Sequence, residues 1–227
     1  ESSPRAALEE WYASTALGHR LRGQLVKDMK VILDQWFGYN LLVIGPNANM
    51  PISEMTRVRR VIQTLAPKQQ LRKDYTGVYA HDEELPLAPE TIDVVVVINA
   101  LDLSAHPHQL LREIHRVLTP HGHLLIIGAN SWSLSGFWHR VVRLGSGFRS
   151  AAVRGPGPRR LEDWLNLLEF AVAPVRHKLV IPAAGTSRWT RWLIDVDAWL
   201  VDHNIPFGST YMMFADKLVR GNTKMHS

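Results

Sequence analysis

The spacing of apolar residues changes from a helical period near the start of the chain to short uninterrupted runs further on. Between residues 6 and 36 the apolar positions recur at helical spacing, which predicts helices. Gly18 and Gly23 interrupt that stretch and predict its division into two helices. Pro51 predicts the first turn of a short helix that ends at about Met55. Short apolar runs predict strands at residues 41–45, 58–65, 76–80, 92–99 and 123–128.

The run at residues 92–99 is the clearest strand, because its four consecutive valines are apolar on both faces. Such strands belong to parallel sheets that are covered on both sides. Residues 106–118 have an amphipathic pattern that predicts a helix, and residues 119–122 (TPHG) are typical of the turn that ends one. Since another strand follows at 123–128, this part of the chain predicts a βαβ unit with a right-handed crossover.

The last third of the chain is less regular but still alternates helices and strands. Its pattern predicts a helix at 161–170 and strands at 172–182 and 210–219, which flank a helix at 188–202. We therefore expect N-terminal helices at residues 1–40 and one α/β domain at 41–227.

Positive charge is concentrated in one segment of the chain. The net charge is +5, and residues 131–160 contain six arginines and no acid. This composition favours contact with phosphates, anionic head groups or nucleic acid, and a solvated loop is the alternative. Phe137, Trp138 and their apolar neighbours give the same segment an apolar face. We therefore predict a basic cap at 131–160 that contacts an anionic membrane surface.

Several classes of function lack the residues that they need. The absence of cysteine excludes disulfides and thiolate chemistry. The histidines have no metal-binding spacing, so no metal site is expected. A G-x-S-x-G nucleophile elbow is also absent. The first residues lack the apolar core of a signal peptide, and no apolar run has the ~20 residues of a membrane span. Because the chain has no cysteine, the reducing cytoplasm is the expected location.

Three motifs together resemble the class I S-adenosylmethionine-dependent methyltransferases of the small-molecule type. They are the pair ELPL and IDVV at residues 84–87 and 92–95, LREIHRVLTPHGHL at 111–124, and YMMFADK at 211–217. The resemblance implies a seven-stranded Rossmann-like sheet, mostly parallel with an antiparallel last strand, with helices on both faces. It also implies S-adenosylmethionine as cofactor, lying across the carboxyl ends of the strands.

Two further segments are similar to an uncharacterised bacterial branch of that family. They are NSWSLSG at residues 130–136 and RLEDWL at 160–165. With the motifs above, the resemblance extends from about residue 8 to residue 219. This branch implies no particular substrate.

The chain departs from the family's pattern in the loop that follows the first strand. Where the family has G-x-G-x-G, residues 45–49 read GPNAN, so only Gly45 is kept, and Pro46 has no N–H to offer. Asn47 tolerates a left-handed backbone better than most residues. The family's acid before this loop is Val43, and the end of the second strand offers no acid for the ribose. We therefore expect weak or lost cofactor binding.

The resemblance nevertheless implies a set of site residues. The implied cofactor-binding residues are Gly45, Asn47, His81, Asp82, Asn99 and Leu101. The implied substrate-binding residues are Asn130, Trp132, Trp138 and Arg140. His106 and His139 are candidate bases with weaker support, since methyl transfer needs a base only for a hydroxyl or ammonium acceptor.

Methyl transfer to a small-molecule or lipid-like acceptor is the function that this combination favours. The alternative is a catalytically inactive methyltransferase-fold binding module that acts through a partner, which the degenerate loop favours. Methylation of nucleic acid ranks last, because the family's N-P-P-(Y/F) motif is missing after Asn130.

Overall fold

The computed structural model describes residues 4–14, 16–46, 50–65, 73–80, 84–129, 155–178 and 210–218. Its helices are α1 (Pro4–Ser14), α2 (Ala16–Leu33), α3 (Ala100–Leu103), α4 (Pro107–Val117) and α5 (Pro158–Leu167), with a 3₁₀ turn at Ile52–Glu54. Its strands are β1 (Asn40–Ile44), β2 (Arg60–Leu65), β3 (Thr76–Tyr79), β4 (Ile92–Ile98), β5 (Leu118–Ala129), β6 (Phe170–Val172), β7 (Arg176–Lys178) and β8 (Thr210–Lys217).

All described strands belong to one sheet with the order β3-β2-β1-β4-β5-β8-β6. Strands β1 to β5 are parallel, and β8 lies antiparallel to β5. Strands β6 and β7 pair with successive parts of β8, so together they form one interrupted edge strand. The predicted seven-stranded, Rossmann-like sheet with an antiparallel last strand is confirmed. Its topological switch point lies between β1 and β4.

Helices cover both faces of this sheet, as predicted. On one face, Val94 and Val96 of β4 pack in a cluster with Leu25 of α2. On the other face, Val95 of β4 packs in a cluster with Leu110 of α4 and residues of α5. The valine run therefore faces apolar side chains on both sides, and each fully buried side chain of this size contributes roughly 1.5–3 kcal/mol.

The division of the N-terminal helices differs from the prediction. Helix α1 ends at Ser14 and α2 begins at Ala16, so Gly18 and Gly23 both lie inside α2. A Cβ at Gly23 would meet nothing within 4 Å. Because the other face of α2 buries Leu25 completely, packing outweighs the ~1 kcal/mol that an interior glycine costs.

Strand β5 begins earlier than predicted, directly at the end of α4. Leu118 pairs with Ile92 and His123 with Val94, so the predicted turn at residues 119–122 is a bulge within the strand. The helix itself ends as predicted. Lys217 of β8 donates hydrogen bonds to the carbonyl oxygens of His115 and Leu118, at 2.9 and 2.8 Å, and so satisfies two acceptors at that helix end.

The C-terminal region needs two corrections. The helix predicted to reach Phe170 ends at Leu167, because Phe170 is buried in β6. The strand predicted at 172–182 is divided into β6 and β7, and its residues 179–182 lie outside the described residues. The predicted helix at 188–202 and residues 131–154 of the predicted basic cap also lie outside them.

None of the helices in the described ranges combines the length and apolar character needed to cross a membrane.

Candidate functional site

The candidate site begins where β1 and β4 end side by side. Gly45 follows β1 with a φ of +101°, which lies in the region that side chains disfavour. A Cβ at this position would overlap the carbonyl oxygen of Ile98 and lie 3.1 Å from the Cβ of Ala100. Glycine is therefore required here both by its backbone angle and by the close approach of the two strand ends.

Asn99 follows β4 and connects several elements. It has a left-handed backbone, with φ 50° and ψ 8°, which asparagine tolerates. Its backbone N–H donates to the carbonyl oxygen of Ile127 at 2.8 Å. Its side-chain Oδ1 accepts a 3.0 Å hydrogen bond from the Tyr12 hydroxyl of α1, and its Nδ2 donates to Oδ2 of Asp102 at 2.9 Å. Both ends of the buried amide are thus engaged by the protein itself.

Asp102 of α3 is a functional candidate that the sequence analysis missed. Its Oδ2 accepts hydrogen bonds from Asn99 and from the backbone N–H of Ala129, both at 2.9 Å, and so bridges the carboxyl ends of β4 and β5. The residue is only 3% exposed. Its Oδ1 has no hydrogen-bond partner among the described residues. A Cβ at Gly155 would overlap this oxygen, so only glycine allows the chain to pass so close.

Burial dominates the electrostatics of this carboxylate. It raises the pKa of Asp102 from 3.8 to about 6, although the hydrogen bonds from Asn99 and Ala129 favour the ionised form. Burial, followed by the charge of Asp102, also raises the pKa of the Tyr12 and Tyr211 hydroxyls far above the usual range. Both tyrosines are therefore neutral near pH 7 and donate hydrogen bonds.

Tyr211 extends the polar network to the segment before α5. Its hydroxyl donates to the carbonyl oxygen of Pro156 at 3.3 Å. A Cβ at Gly128 of β5 would overlap the ring of Tyr211, so this glycine leaves the space that the ring fills. The network thus connects α1, the ends of β4 and β5, β8 and the two residues Gly155 and Pro156.

Arg5 connects α1 to the neighbouring strands. Its Nη2 donates to the carbonyl oxygens of Gly45 and Thr64, at 3.0 and 2.7 Å, at the carboxyl ends of β1 and β2. Because Tyr12 of the same helix reaches Asn99, α1 lies across the carboxyl ends of β2, β1 and β4.

The structure describes four of the residues singled out from the sequence. Gly45 and Asn99 lie close together at the switch point, because Gly45 contacts Ile98 and Ala100, the residues on either side of Asn99. Leu101 is buried in α3 and packs in the cluster on the α4 face of the sheet. His106 is exposed, and its carbonyl oxygen accepts hydrogen bonds from the first turn of α4. Asn47, His81, Asp82, Asn130, Trp132, Trp138, His139 and Arg140 lie outside the described residues.

In the part of the chain that the structure describes, no three histidine, aspartate or glutamate side chains converge as they would around a metal ion.

Three residues of the site, Arg5, Tyr12 and Asp102, were not predicted, because nothing in the sequence marks their long-range contacts. For Asp102 one signal was present, since it is an acid in an otherwise apolar segment (NALDL) directly after the clearest strand.

Comparison with known proteins agrees with this architecture. A family model described as "Methyltransferase domain" matches residues 52–126. The uncharacterized protein YafS of Escherichia coli (strain K12) is 30% identical over 168 residues, which is 73% of this chain. The match covers 66% of YafS, so the chain spans slightly less than two thirds of that relative's length.

Solved structures share the fold at low sequence identity. One is a chain of a complex that contains the Haloferax volcanii Trm112 methyltransferase activator. It has a TM-score of 0.66 and 12% identity, with 96% of this chain and 99% of that chain covered. Another is a SAM-dependent methyltransferase from Archaeoglobus fulgidus, with a TM-score of 0.60, 14% identity, and coverage of 92% and 97%. At these identities the likeness concerns the fold.

Proposed function

We propose that this chain, which belongs to the class I S-adenosylmethionine-dependent methyltransferase superfamily, transfers methyl groups from that cofactor to a small-molecule or lipid-like acceptor. The observation that carries the proposal is the group of residues at the switch point. Gly45, Asn99 and Asp102 converge where β1, β4 and β5 end, and open α/β sheets bind their ligands outside these strand ends.

The residues at this edge fit the cofactor of the superfamily in part. Gly45 stands where the family has its first loop glycine, and its positive φ and close approach to Ile98 and Ala100 require a residue without a side chain. The acids that the family places near the ends of β1 and β2 are absent, since Val43 and Leu65 are buried apolar residues. Asp102, in contrast, has a buried carboxylate oxygen without a hydrogen-bond partner in the described part of the chain, which suits a ligand that carries positive charge.

The cofactor supplies an electrophilic methyl group when it is bound. The protein's contribution is to hold the acceptor close and aligned, because proximity and orientation provide most of the catalysis in such a transfer. Asn99 is held by hydrogen bonds with Tyr12, Asp102 and Ile127, and Gly45 by its contacts with Ile98 and Ala100, so this part of the site is held in place by several elements.

The acceptor class rests on the sequence of residues 131–160. Six arginines and an apolar face are the composition of a segment that binds an anionic interface, so a lipid-like acceptor is favoured. Asn130, Trp132, Trp138 and Arg140 are its proposed contacts. A cytoplasmic location stays a prediction from the sequence.

A catalytically inactive binding module is the second candidate, and one observation favours it. Arg5 lies at the ends of β1 and β2 and Tyr12 lies at the end of β4, so α1 covers strand ends that a cofactor would use. In that case the fold would serve as a scaffold for a partner.

Transfer of a labelled methyl group tests the proposal. The protein is incubated with methyl-labelled S-adenosylmethionine and an extract from Escherichia coli cells that lack YafS. We expect label in the lipid or small-molecule fraction, and less label with Asn99→Ala than with the exposed α5 control Asn166→Ala. Label in nucleic acid would contradict the acceptor class, and no label in any fraction would favour the binding module.

Vesicle binding tests the lipid-like acceptor separately. Vesicles with anionic lipids should bind the protein at low salt and release it at high salt. Arg140→Glu combined with Arg143→Glu should weaken that binding. If the wild type does not bind such vesicles, the membrane contact and the main support for a lipid-like acceptor are lost.

A further inference from the structure

The buried carboxylate of Asp102 has no compensating positive charge in the described part of the chain. The groups that face it from the surrounding elements are neutral: the Tyr12 hydroxyl from α1, the Asn99 amide after β4, the Ala129 N–H from β5, the Tyr211 hydroxyl from β8, and Gly155 before α5. Burying an ion without a counter-ion is strongly unfavourable. We therefore expect the buried charge of Asp102 to serve a function.

The carboxylate is also held in one orientation. Two donors, from Asn99 and Ala129, fix Oδ2 between the ends of β4 and β5, while Oδ1 has no partner among the described residues. The backbone at Gly155 lies so close to Oδ1 that a Cβ on this residue would overlap the oxygen, and only glycine allows this approach. The result is a fixed negative charge at the strand ends where this fold binds ligands.

We propose that Asp102 is the recognition residue for a positively charged group of the ligand, a sulfonium or an ammonium. A buried charge acts more strongly than an exposed one because the surrounding dielectric is low, and it needs no direct contact to do so. A cationic ligand would offset the cost of burying the carboxylate, whereas a neutral ligand would leave that cost in place. This inference rests on the proposed function, because it assigns the charge to a ligand of that site.

Three probes separate the two sources of positive charge. S-adenosylmethionine carries a sulfonium and an ammonium, S-adenosylhomocysteine carries only the ammonium, and 5′-methylthioadenosine carries neither. Their dissociation constants are measured at pH 7 for the wild type, for Asp102→Asn, and for Asp163→Asn as a control at an exposed position of α5.

We expect Asp102→Asn to weaken S-adenosylmethionine binding about tenfold and to leave methylthioadenosine binding unchanged. If only S-adenosylmethionine is weakened, the sulfonium is the recognised group. If S-adenosylhomocysteine is weakened equally, the ammonium is recognised. If all three probes bind the wild type and the variant equally, the inference is wrong.

A pH titration of the wild type tests the role of the Asp102 charge without relying on a variant that could misfold. With a pKa of about 6, roughly nine tenths of Asp102 is ionised at pH 7 and roughly a tenth at pH 5. If the neutral side chain binds as weakly as Asp102→Asn, the affinity for S-adenosylmethionine should fall about fivefold from pH 7 to pH 5. The sulfonium does not titrate, and an α-ammonium stays protonated over this range. Asp102→Asn should show no such step.

The outcomes distinguish this inference from the proposed function. A wild type that binds the probes without a pH step or charge selectivity overturns only the role of Asp102. A wild type that binds none of the probes at any pH overturns the proposed function, and the role of Asp102 with it.

Discussion

Replacing Asp102 by asparagine keeps the shape of the side chain and removes the charge that the fold buries. In the folded protein burial raises the pKa of Asp102 from 3.8 to about 6. Between these pH values the folded state binds more protons than the unfolded chain. The free energy of unfolding of the wild type therefore falls as the pH rises from about 4 to about 6, and stays lower above that range. The variant lacks this titration.

The size of the effect follows from the displacement of the pKa. At about 1.4 kcal/mol per pKa unit, a rise from 3.8 to about 6 corresponds to about 3 kcal/mol. The stability of Asp102→Asn relative to the wild type should therefore increase by about 3 kcal/mol between pH 3.5 and pH 7. Carboxylates with a lowered pKa, such as Glu113 beside Arg116, have the opposite pH dependence but occur in both proteins and cancel.

Urea unfolding followed by tryptophan fluorescence, repeated across this pH range, measures the difference. Asp163→Asn serves as a control for a change of charge at the protein surface. A difference between wild type and Asp102→Asn that stays constant with pH would refute the reasoning, because it would mean that the carboxylate is solvated or has a counter-charge. A change in the opposite direction would mean that the folded state stabilises the ionised form.

Gly155→Ala should destabilise the protein by about 1–3 kcal/mol in urea unfolding, because the new Cβ would overlap Oδ1 of Asp102. Gly23→Ala should stabilise it by about 0.5–1 kcal/mol, because a Cβ there meets nothing within 4 Å in the interior of α2. If Gly23→Ala lowered the unfolding free energy and Gly155→Ala raised it, the packing described around these two glycines would be wrong. Tyr12→Phe should cost about 1–3 kcal/mol, because it removes the hydrogen bond to the buried amide of Asn99. Tyr39→Phe is the control, because this ring is exposed, and it should change the unfolding free energy little. If Tyr12→Phe and Tyr39→Phe lowered the unfolding free energy equally, the hydrogen bond of Tyr12 in the buried network would not be supported.

The sheet could be predicted well because its strands leave strong local signals. Strands β1, β3 and β4 lie within one residue of the predicted bounds. For β1 and β4 the reason is a buried apolar run bounded by turn residues. Helix α3 could not be predicted. It has only four residues, and the contacts around it come from distant parts of the chain, such as Gly45 and Gly155.

The site could be predicted only where it follows from strand ends. The family resemblance implied Gly45 and Asn99 as site residues, and both follow buried strands, whose carboxyl ends meet at one edge of a parallel sheet. Tyr12 and Asn99 are 87 residues apart, and Arg5 and Thr64 are 59 apart. Contacts over such distances depend on how α1 lies across the sheet, which neither spacing nor composition reveals.

Calorimetric titration with S-adenosylmethionine and S-adenosylhomocysteine tests the central claim most directly, namely that the carboxyl edge around Gly45 and Asn99 still binds the cofactor. The lost ribose acid removes charge-assisted hydrogen bonds worth about 1.5–3 kcal/mol, or roughly one to two decades of affinity. We therefore predict saturable but weak binding, which Asn47→Gly combined with Asn49→Gly strengthens. If neither the folded wild type nor the double variant binds S-adenosylmethionine or S-adenosylhomocysteine, the central claim is wrong. The chain would then be better described as a catalytically inactive binding module.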